Sequence, residues 1–207
     1  MVRRGIVNIT EGSPSGASNS NNFGIGDPSS PNPGTSIPTP PPTPPLVYII
    51  SGSLSGGGGG SLKAIDTSSM SVYKTATEST SLGALGFDGT YIYAADGSTI
   101  YKYTQTLSLV GSSPISFSGS PVIMSYDGTN LLVGDDLGMV YLVSTGLALV
   151  ASNDLASDES VSIGTYQGIT YTGTYWYVGM NGGTDLSASY IFLLDPSSLA
   201  IVESVAL

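Results

Sequence analysis

The chain contains no cysteine and no histidine, and only 10% of its 207 residues are charged. The absence of cysteine excludes disulfides and thiolate chemistry, and the absence of histidine removes most transition-metal sites. Basic residues are also scarce, with five Lys and Arg against fifteen Asp and Glu, which gives a net charge of −10. We therefore expect no nucleic-acid partner, because binding to phosphates needs clustered positive charge.

Long apolar runs are missing as well. The apolar stretch near the start, Ile6–Ile9, is interrupted by Asn8 and is too short for the core of a signal peptide. No later segment reaches the roughly 18 apolar residues of a membrane-spanning helix. The sequence predicts neither a secretory leader nor a direct membrane span.

Catalytic groups are few. Without His or Cys, a general base has to be a carboxylate or a lysine, and Lys63, Lys74 and Lys102 have no recognisable partner motif. Paired carboxylates for glycoside hydrolysis stay open, since their separation depends on the fold. We predict that the protein is not an enzyme and has no catalytic, cofactor-binding or metal-binding residues.

Some acidic residues have an alternative interpretation as calcium ligands. The candidates are Asp135 with Asp136, Asp154 with Asp158 and Glu159, and Asp185 near Asn181. None has the spacing of a known calcium loop, and turn formation accounts for Asp96, Asp135 and Asp185 without a metal. Asn8-Ile9-Thr10 likewise matches a glycosylation acceptor, a short signal that often occurs by chance.

A repeat is the main positive feature of the chain. Asp88-Gly89-Thr90 recurs 39 positions later as Asp127-Gly128-Thr129, and a degenerate Thr172-Gly173-Thr174 follows 45 positions after that. Periods of 20 to 50 residues are typical of stacked or radial folds. We interpret these residues as structural turns of the repeat.

Each repeat continues in the same order. A β-prone run follows the turn, then a glycine-containing hairpin, then a return strand, and then a fourth strand. The return strands are predicted at 99–103, 139–143 and 190–194, and the fourth strands at 107–110, 147–150 and 199–202. The sequence therefore predicts an all-β protein with a four-stranded antiparallel sheet per unit.

An earlier copy begins at Leu46, where 62–72 aligns with 191–201 and Asp66 aligns with Asp195. This pattern resembles the β-propeller repeats of the YVTN, NHL-like and quinoprotein-like group over residues 46–207. The resemblance implies a small or partial propeller of about four blades. We expect the first blade to lack its innermost strand, because a proline run precedes it. Either Val205-Ala206-Leu207 supplies that strand and closes a four-bladed ring, or another chain covers the open end.

Tyrosine is abundant, with 13 residues against four phenylalanines. Tyrosine-rich strand faces suit subunit interfaces and sugar stacking, but cross-strand packing inside the propeller is the alternative. We favour packing for Tyr93 and Tyr103.

Residues 1–45 form a different kind of segment from residues 46–207, which we assign to the propeller domain. Ten of the 13 prolines lie in this segment, which is otherwise rich in Ser, Asn and Gly. We predict a low-complexity arm that ends in a polyproline spacer. Its first residues, with Arg3, Arg4, Ile6, Val7 and Ile9, are interpreted as an assembly peptide that docks on a neighbouring subunit. A frayed terminus is the alternative.

Two non-enzymatic functions follow from this organisation. In the first, the protein is a structural subunit of a multi-chain particle, with partners that are copies of itself in a ring and other proteins of the particle. In the second, it is a surface adhesin that binds a glycan or a protein receptor of a host through propeller loops. The composition and the Met-Val-Arg-Arg start resemble structural proteins of archaeal spindle-shaped viruses (fuselloviruses), in particular tail adaptors. This resemblance implies a location in the virion tail or exterior, whereas the adhesin would be extracellular or on a cell surface.

Overall fold

The structure is a computed structural model that describes residues 6–7, 44–51, 59–78, 80–158, 163–182 and 189–207. This part of the chain contains sixteen strands, β1 to β16, and one short helix, α1, at Leu155–Asp158. Its strands form four antiparallel sheets of four strands each. The predicted all-β fold with four units is therefore confirmed, and no helix in these residues is long and apolar enough to cross a membrane.

The sheets follow one another along the chain. The first unit contains β1 (Ile6–Val7), β2 (Leu46–Ser51), β3 (Ser61–Asp66) and β4 (Ser71–Thr77). The second contains β5 (Ala84–Phe87), β6 (Tyr91–Ala95), β7 (Thr99–Thr104) and β8 (Leu109–Pro114). The third contains β9 (Pro121–Tyr126), β10 (Asn130–Asp135), β11 (Met139–Ser144) and β12 (Leu149–Asp154). The fourth contains β13 (Ile163–Tyr171), β14 (Trp176–Gly182), β15 (Ser189–Leu194) and β16 (Ile201–Ala206).

The repeated Asp-Gly-Thr forms the turn between the first two strands of a unit. Gly89 has a φ of 94°, which only glycine adopts at low cost. The Asp88 carboxylate accepts hydrogen bonds from the backbone N–H groups of Thr90 at 2.7 Å and Tyr91 at 2.6 Å. Asp127 binds the corresponding N–H groups in the third unit. The fourth unit has Thr172 instead, which gives up the carboxylate but keeps the glycine turn.

A second turn recurs before the outermost strand of every unit. Four residues there have positive φ although they are not glycine: Met70 (53°), Leu107 (55°), Leu147 (68°) and Leu199 (60°). The prediction that the fourth strands begin at these three leucines is wrong, because a residue with positive φ belongs to the turn. The strands begin two residues later.

Three hydrophobic cores hold the units together, one at each junction between consecutive sheets. The first unit packs on the second around Tyr48, Leu62 and Ile92. Equivalent clusters lie between the second and third units and between the third and fourth. Among the described residues no such core joins the fourth unit to the first. Taken over the described residues alone, the four blades therefore form an open arc with an uncovered sheet face at each end.

The first unit differs from the prediction because it has an innermost strand. Residues Ile6 and Val7 pair with Ile49 and Tyr48 of β2, so the arm supplies the strand that the adjoining prolines cannot. The proposal that Val205-Ala206-Leu207 supplies it is also wrong. Residues 205 and 206 belong to β16, which pairs with β15 across a short turn and so finds a partner nearby. The division of the chain at residue 45 stays a prediction, since residues 8–43 lie outside the description.

Candidate interaction site

Two hairpin aspartates are fully buried, and their oxygens are occupied. Asp135 accepts hydrogen bonds from the backbone N–H groups of Gly119 at 2.8 Å and of Leu137 and Met139 at 3.0 Å. The Tyr141 hydroxyl donates a fourth at 3.0 Å. This carboxylate ties the β10–β11 hairpin to the segment before β9, and it has the character of a structural anchor.

Asp96 does the same in the second unit. It accepts hydrogen bonds from the N–H groups of Ser98 and Thr99, and from the hydroxyls of Tyr101 and Thr80. Burial raises the pKa of Asp96, but these hydrogen bonds outweigh it, so the pKa lies below the ordinary value of 3.8. A carboxylate held in its charged form by four donors is poorly suited to proton transfer.

The predicted packing role of two tyrosines is confirmed, since Tyr93 and Tyr103 lie in the cores. The Tyr93 hydroxyl donates to Asp88 at 2.7 Å, and that of Tyr103 donates to Glu78. Burial, followed by these carboxylates, raises the pKa of both phenols. Both therefore stay neutral.

The calcium alternative finds no support within the described ranges, where no three acidic side chains are grouped so as to hold a metal ion. Of the candidates, Glu159 and Asp185 lie outside these ranges. Arg3, Arg4 and Ile9 of the assembly peptide also lie outside them, whereas Ile6 and Val7 form β1.

The free end faces are the main candidates for interaction. We call the side that each blade turns toward the following blade its leading face, and the opposite side its trailing face. Tyr48, Tyr93 and Leu132 occupy the same leading-face position in the first three blades and are buried, with at most 3% of each exposed. The equivalent Tyr177 of the fourth blade is 39% exposed.

A second leading-face position shows the same contrast. Leu62, Ile100 and Val140 are fully buried in the first three blades, while the equivalent Ile191 is 38% exposed. On this face Gly179 lies opposite Ile191, and Thr170 of β13 lies opposite Tyr177. These four residues line a shallow apolar depression. The fourth blade therefore presents apolar surface that its predecessors bury.

The trailing face shows the complementary pattern. Ile92, Leu131 and Trp176 hold one position in the last three blades and are fully buried. Their counterpart in the first blade, Val47, is only half-buried, as are Ile49 and Ile65 on the same side of the sheet. Each end of the arc thus exposes one half of a blade junction.

Hydrogen bonds also cross the internal junctions in a repeated way. The Tyr48 hydroxyl donates to the carbonyl oxygen of Gln105 at 2.9 Å, and the equivalent Tyr93 hydroxyl reaches that of Thr145 at 3.4 Å. Lys102 adds a second bond to the Thr145 carbonyl at 2.9 Å, while its ammonium lies 4.1 Å from the centre of the Tyr91 ring. In the first two blades, the leading face therefore donates to the outer turn of the following blade, whereas the third blade has Leu132 at this position.

Comparison with known proteins supports the fold. No family model matches the chain, and no curated protein sequence does either. Among solved structures, the chain is similar to the β-propeller domain of Cps50 (Swd1) from Myceliophteria thermophila, with 15% identity and a TM-score of 0.55 over 77% of this chain and 52% of that chain. The predicted resemblance to β-propeller proteins is confirmed at the level of fold.

Two further structures give the same result. BamB from Moraxella catarrhalis is 14% identical, with a TM-score of 0.55 over 76% of this chain and 45% of that one. Hydrazine synthase from Kuenenia stuttgartiensis is 14% identical, with a TM-score of 0.60 over 78% of this chain and 46% of that one. One of these neighbours is an enzyme by name, so the fold does not decide for or against catalysis. The chain spans about half of the length of the structures it matches.

Proposed function

We propose that this protein is a non-enzymatic structural subunit of a multi-chain particle, with its N-terminal arm docked on neighbouring subunits and its propeller blades as the exterior interaction platform. The observation that carries the proposal is β1. Residues 6 and 7 form the innermost strand of the first blade although 39 positions separate Val7 from Leu46. β1 is therefore a short peptide, distant in sequence, that adds as a strand to the open edge of β2.

Strand addition of this kind works equally well between chains. The edge of β2 offers its N–H and C=O groups to any extended peptide of the right sequence. The segment between Val7 and Leu46 can span a distance on the order of 100 Å when extended. Neighbouring copies in a particle can therefore exchange β1 without any change in the blade that receives it.

A structural role also fits the side chains of the described residues. The buried carboxylates of Asp96 and Asp135 are fully engaged in hairpin hydrogen bonds, and the buried tyrosines are held neutral. The resemblance of the sequence to fusellovirus tail adaptors leads us to propose the virion tail or exterior as its location. Its partners there are copies of itself and other proteins of the particle.

Disulfide trapping tests the exchange of β1. The chain has no cysteine, so each introduced thiol is unique. Ile6 lies opposite Ile49 in the sheet, at a separation that a disulfide can bridge. One chain carries Ile6→Cys and a differently tagged chain carries Ile49→Cys, and the two are co-expressed and oxidised. We expect a covalent heterodimer.

A matched control replaces Ile49→Cys with Tyr73→Cys, which is exposed on β4 and should give no heterodimer. A single chain with both Ile6→Cys and Ile49→Cys reports strand addition within one chain. If the double variant forms its internal disulfide and the mixed chains form none, the arm docks on its own blade and the proposed arm-mediated assembly is wrong.

A further inference from the structure

We propose that two copies of this chain join head to tail through their end faces and form a closed ring of eight blades. In this ring, the leading face of the fourth blade of each copy packs on the trailing face of the first blade of the other copy. This inference rests on the proposed function, since it specifies how copies of a structural subunit contact one another. The proposed contact is formed by β2 and β3 of one copy and β14 and β15 of the other. The ring does not require that β1 is exchanged between copies.

The repeat itself indicates what covers each face. Every junction inside the chain places a leading face on a trailing face, and each buries the same positions. Tyr177 and Ile191 occupy the positions that Tyr93 and Ile100 bury completely in the second blade. The surface that fits Tyr177 and Ile191 is therefore a trailing face.

Within the described part of the chain, the trailing face of the first blade is the one left without a partner. Its residues Val47, Ile49 and Ile65 are apolar and half-buried, and their counterparts in the other blades are buried. A second copy brings this face to the leading face of the fourth blade in the same arrangement that the chain already uses three times. The contact is thus between different surfaces of the two copies.

Charge favours the same pairing. Lys63 lies beside Ile49 on the trailing face of the first blade, and Glu203 lies beside Leu193 on the leading face of the fourth. Neither forms an ion pair with any described residue. Head-to-tail contact brings opposite charges together, whereas contact between two identical faces sets like charges against each other.

The number of copies follows from the geometry of propellers. Closed propellers contain about four to eight blades. Two arcs of four reach eight, and a third copy would exceed the range.

The repeated junction hydrogen bond predicts one specific contact. Tyr48 and Tyr93 donate to the carbonyl oxygens of Gln105 and Thr145, which are equivalent positions in consecutive blades. Tyr177 is the fourth-blade equivalent of these tyrosines, and Thr67 is the first-blade equivalent of these carbonyls. We expect the Tyr177 hydroxyl to donate to the Thr67 carbonyl of the other copy.

Sedimentation velocity on the full chain tests the ring. Every chain in this test also carries Val7→Pro, because proline in β1 opposes its pairing with β2 and so removes association through the arm. We expect this parent chain to sediment as two copies, and the chains with Ile49→Arg or Ile191→Arg added each to sediment as one. Val150→Arg is the matched control, because Val150 is 53% exposed on the outermost strand of the third blade and lies on neither end face. Tyr177→Phe should weaken association by roughly tenfold, because the ring contains two of the predicted hydrogen bonds and this variant removes both. Tyr175→Phe removes a hydroxyl for which no bond is predicted, so it should leave association unchanged.

Mixing the two arginine variants distinguishes head-to-tail contact from contact between identical faces. A chain with Ile49→Arg keeps its leading face, and one with Ile191→Arg keeps its trailing face, so the mixture should recover a two-copy species with one intact junction. Dissociation by Ile191→Arg alone, with Ile49→Arg unaffected, would indicate paired leading faces and overturn the proposal.

Other outcomes are equally decisive. A parent chain that stays a single copy at all concentrations, or one that forms assemblies of three or more copies, contradicts the eight-bladed ring. Circular dichroism of each variant confirms that the sheets are intact before its mass is interpreted. Because Val7→Pro blocks association through the arm in these chains, the ring and the proposed arm docking fail separately.

Discussion

Asp135 has none of its surface exposed, and four donors converge on its carboxylate. A buried charge of this kind is tolerated because the hydrogen bonds replace its hydration. The sequence predicted a turn role for this residue from its position before Leu137-Gly138. It could not predict the burial or the bonds to Gly119 and Tyr141, which come from the fold.

Asp135→Asn tests this role. The amide keeps the size of the side chain but loses the charge and turns an NH₂ group toward the donors, so we expect the free energy of unfolding to fall by about 2–4 kcal/mol. Urea denaturation measures the change. Asp136→Asn, at an exposed position with a bond to Ser120, should cost well under half as much. Equal losses for the two variants would contradict the anchoring role.

The buried tyrosines predict how stability depends on alkaline pH. Burial comes first among the causes that raise the pKa of Tyr93, Tyr103 and Tyr166 above the ordinary value of 10.0. The unfolded chain therefore releases these protons at lower pH than the folded chain. Stabilisation is complete below about pH 10 and declines as the pH rises beyond it. Urea unfolding at a series of pH values from about 8 to 11 should show this decline.

Tyr103→Phe provides the control for this pH dependence. It removes one of the raised groups, so the decline above about pH 10 should become shallower even if the variant is less stable at neutral pH. A decline of the same steepness in this variant and in the wild type would indicate that other groups are responsible.

At the scale of the element, the turn before each outermost strand places a large residue at positive φ. Leucine at positive φ is strained by roughly 1–2 kcal/mol, so the burial of the Leu107, Leu147 and Leu199 side chains has to offset it. Met70 has the same backbone conformation with a side chain that is 78% exposed. The strain there has no comparable compensation.

A glycine substitution at each of two positions separates strain from burial. Met70→Gly relieves the strain and loses little contact. We therefore expect the free energy of unfolding to stay equal or to rise by up to about 1 kcal/mol, with no fall in the melting temperature. Leu199→Gly relieves similar strain but removes a fully buried side chain, and should cost about 2–4 kcal/mol. Thermal unfolding followed by circular dichroism compares the two. Similar effects of both substitutions would contradict this explanation.

Most strands could be predicted from the sequence because they combine alternating or β-branched runs with glycine turns. The return strands at Thr99–Thr104 and Met139–Ser144 match their predicted positions within one residue. Two features could not be predicted by this logic. The leucine turns carry no glycine or asparagine to mark positive φ, and β1 is a two-residue strand far in sequence from its partner.

At the scale of the whole molecule, the repeat predicts the blades but not the ends of the arc. Tyr177 and Tyr93 follow the same motif, and their sequence neighbourhoods give no sign that one is buried and the other 39% exposed. That difference arises only because the fourth blade has no following blade within the described chain. The sequence left open whether the ring closes within one chain or another chain covers its end. The exposed end faces favour the second alternative and identify a second copy of this chain as the one that covers them.

Small-angle X-ray scattering of the full chain on an absolute scale tests the central claim most directly. Two four-bladed arcs in one ring predict a particle with twice the chain mass of 21.0 kDa and the compact, disc-like profile of a closed propeller. A particle of one chain mass would contradict the account, and so would a two-chain particle with an elongated profile.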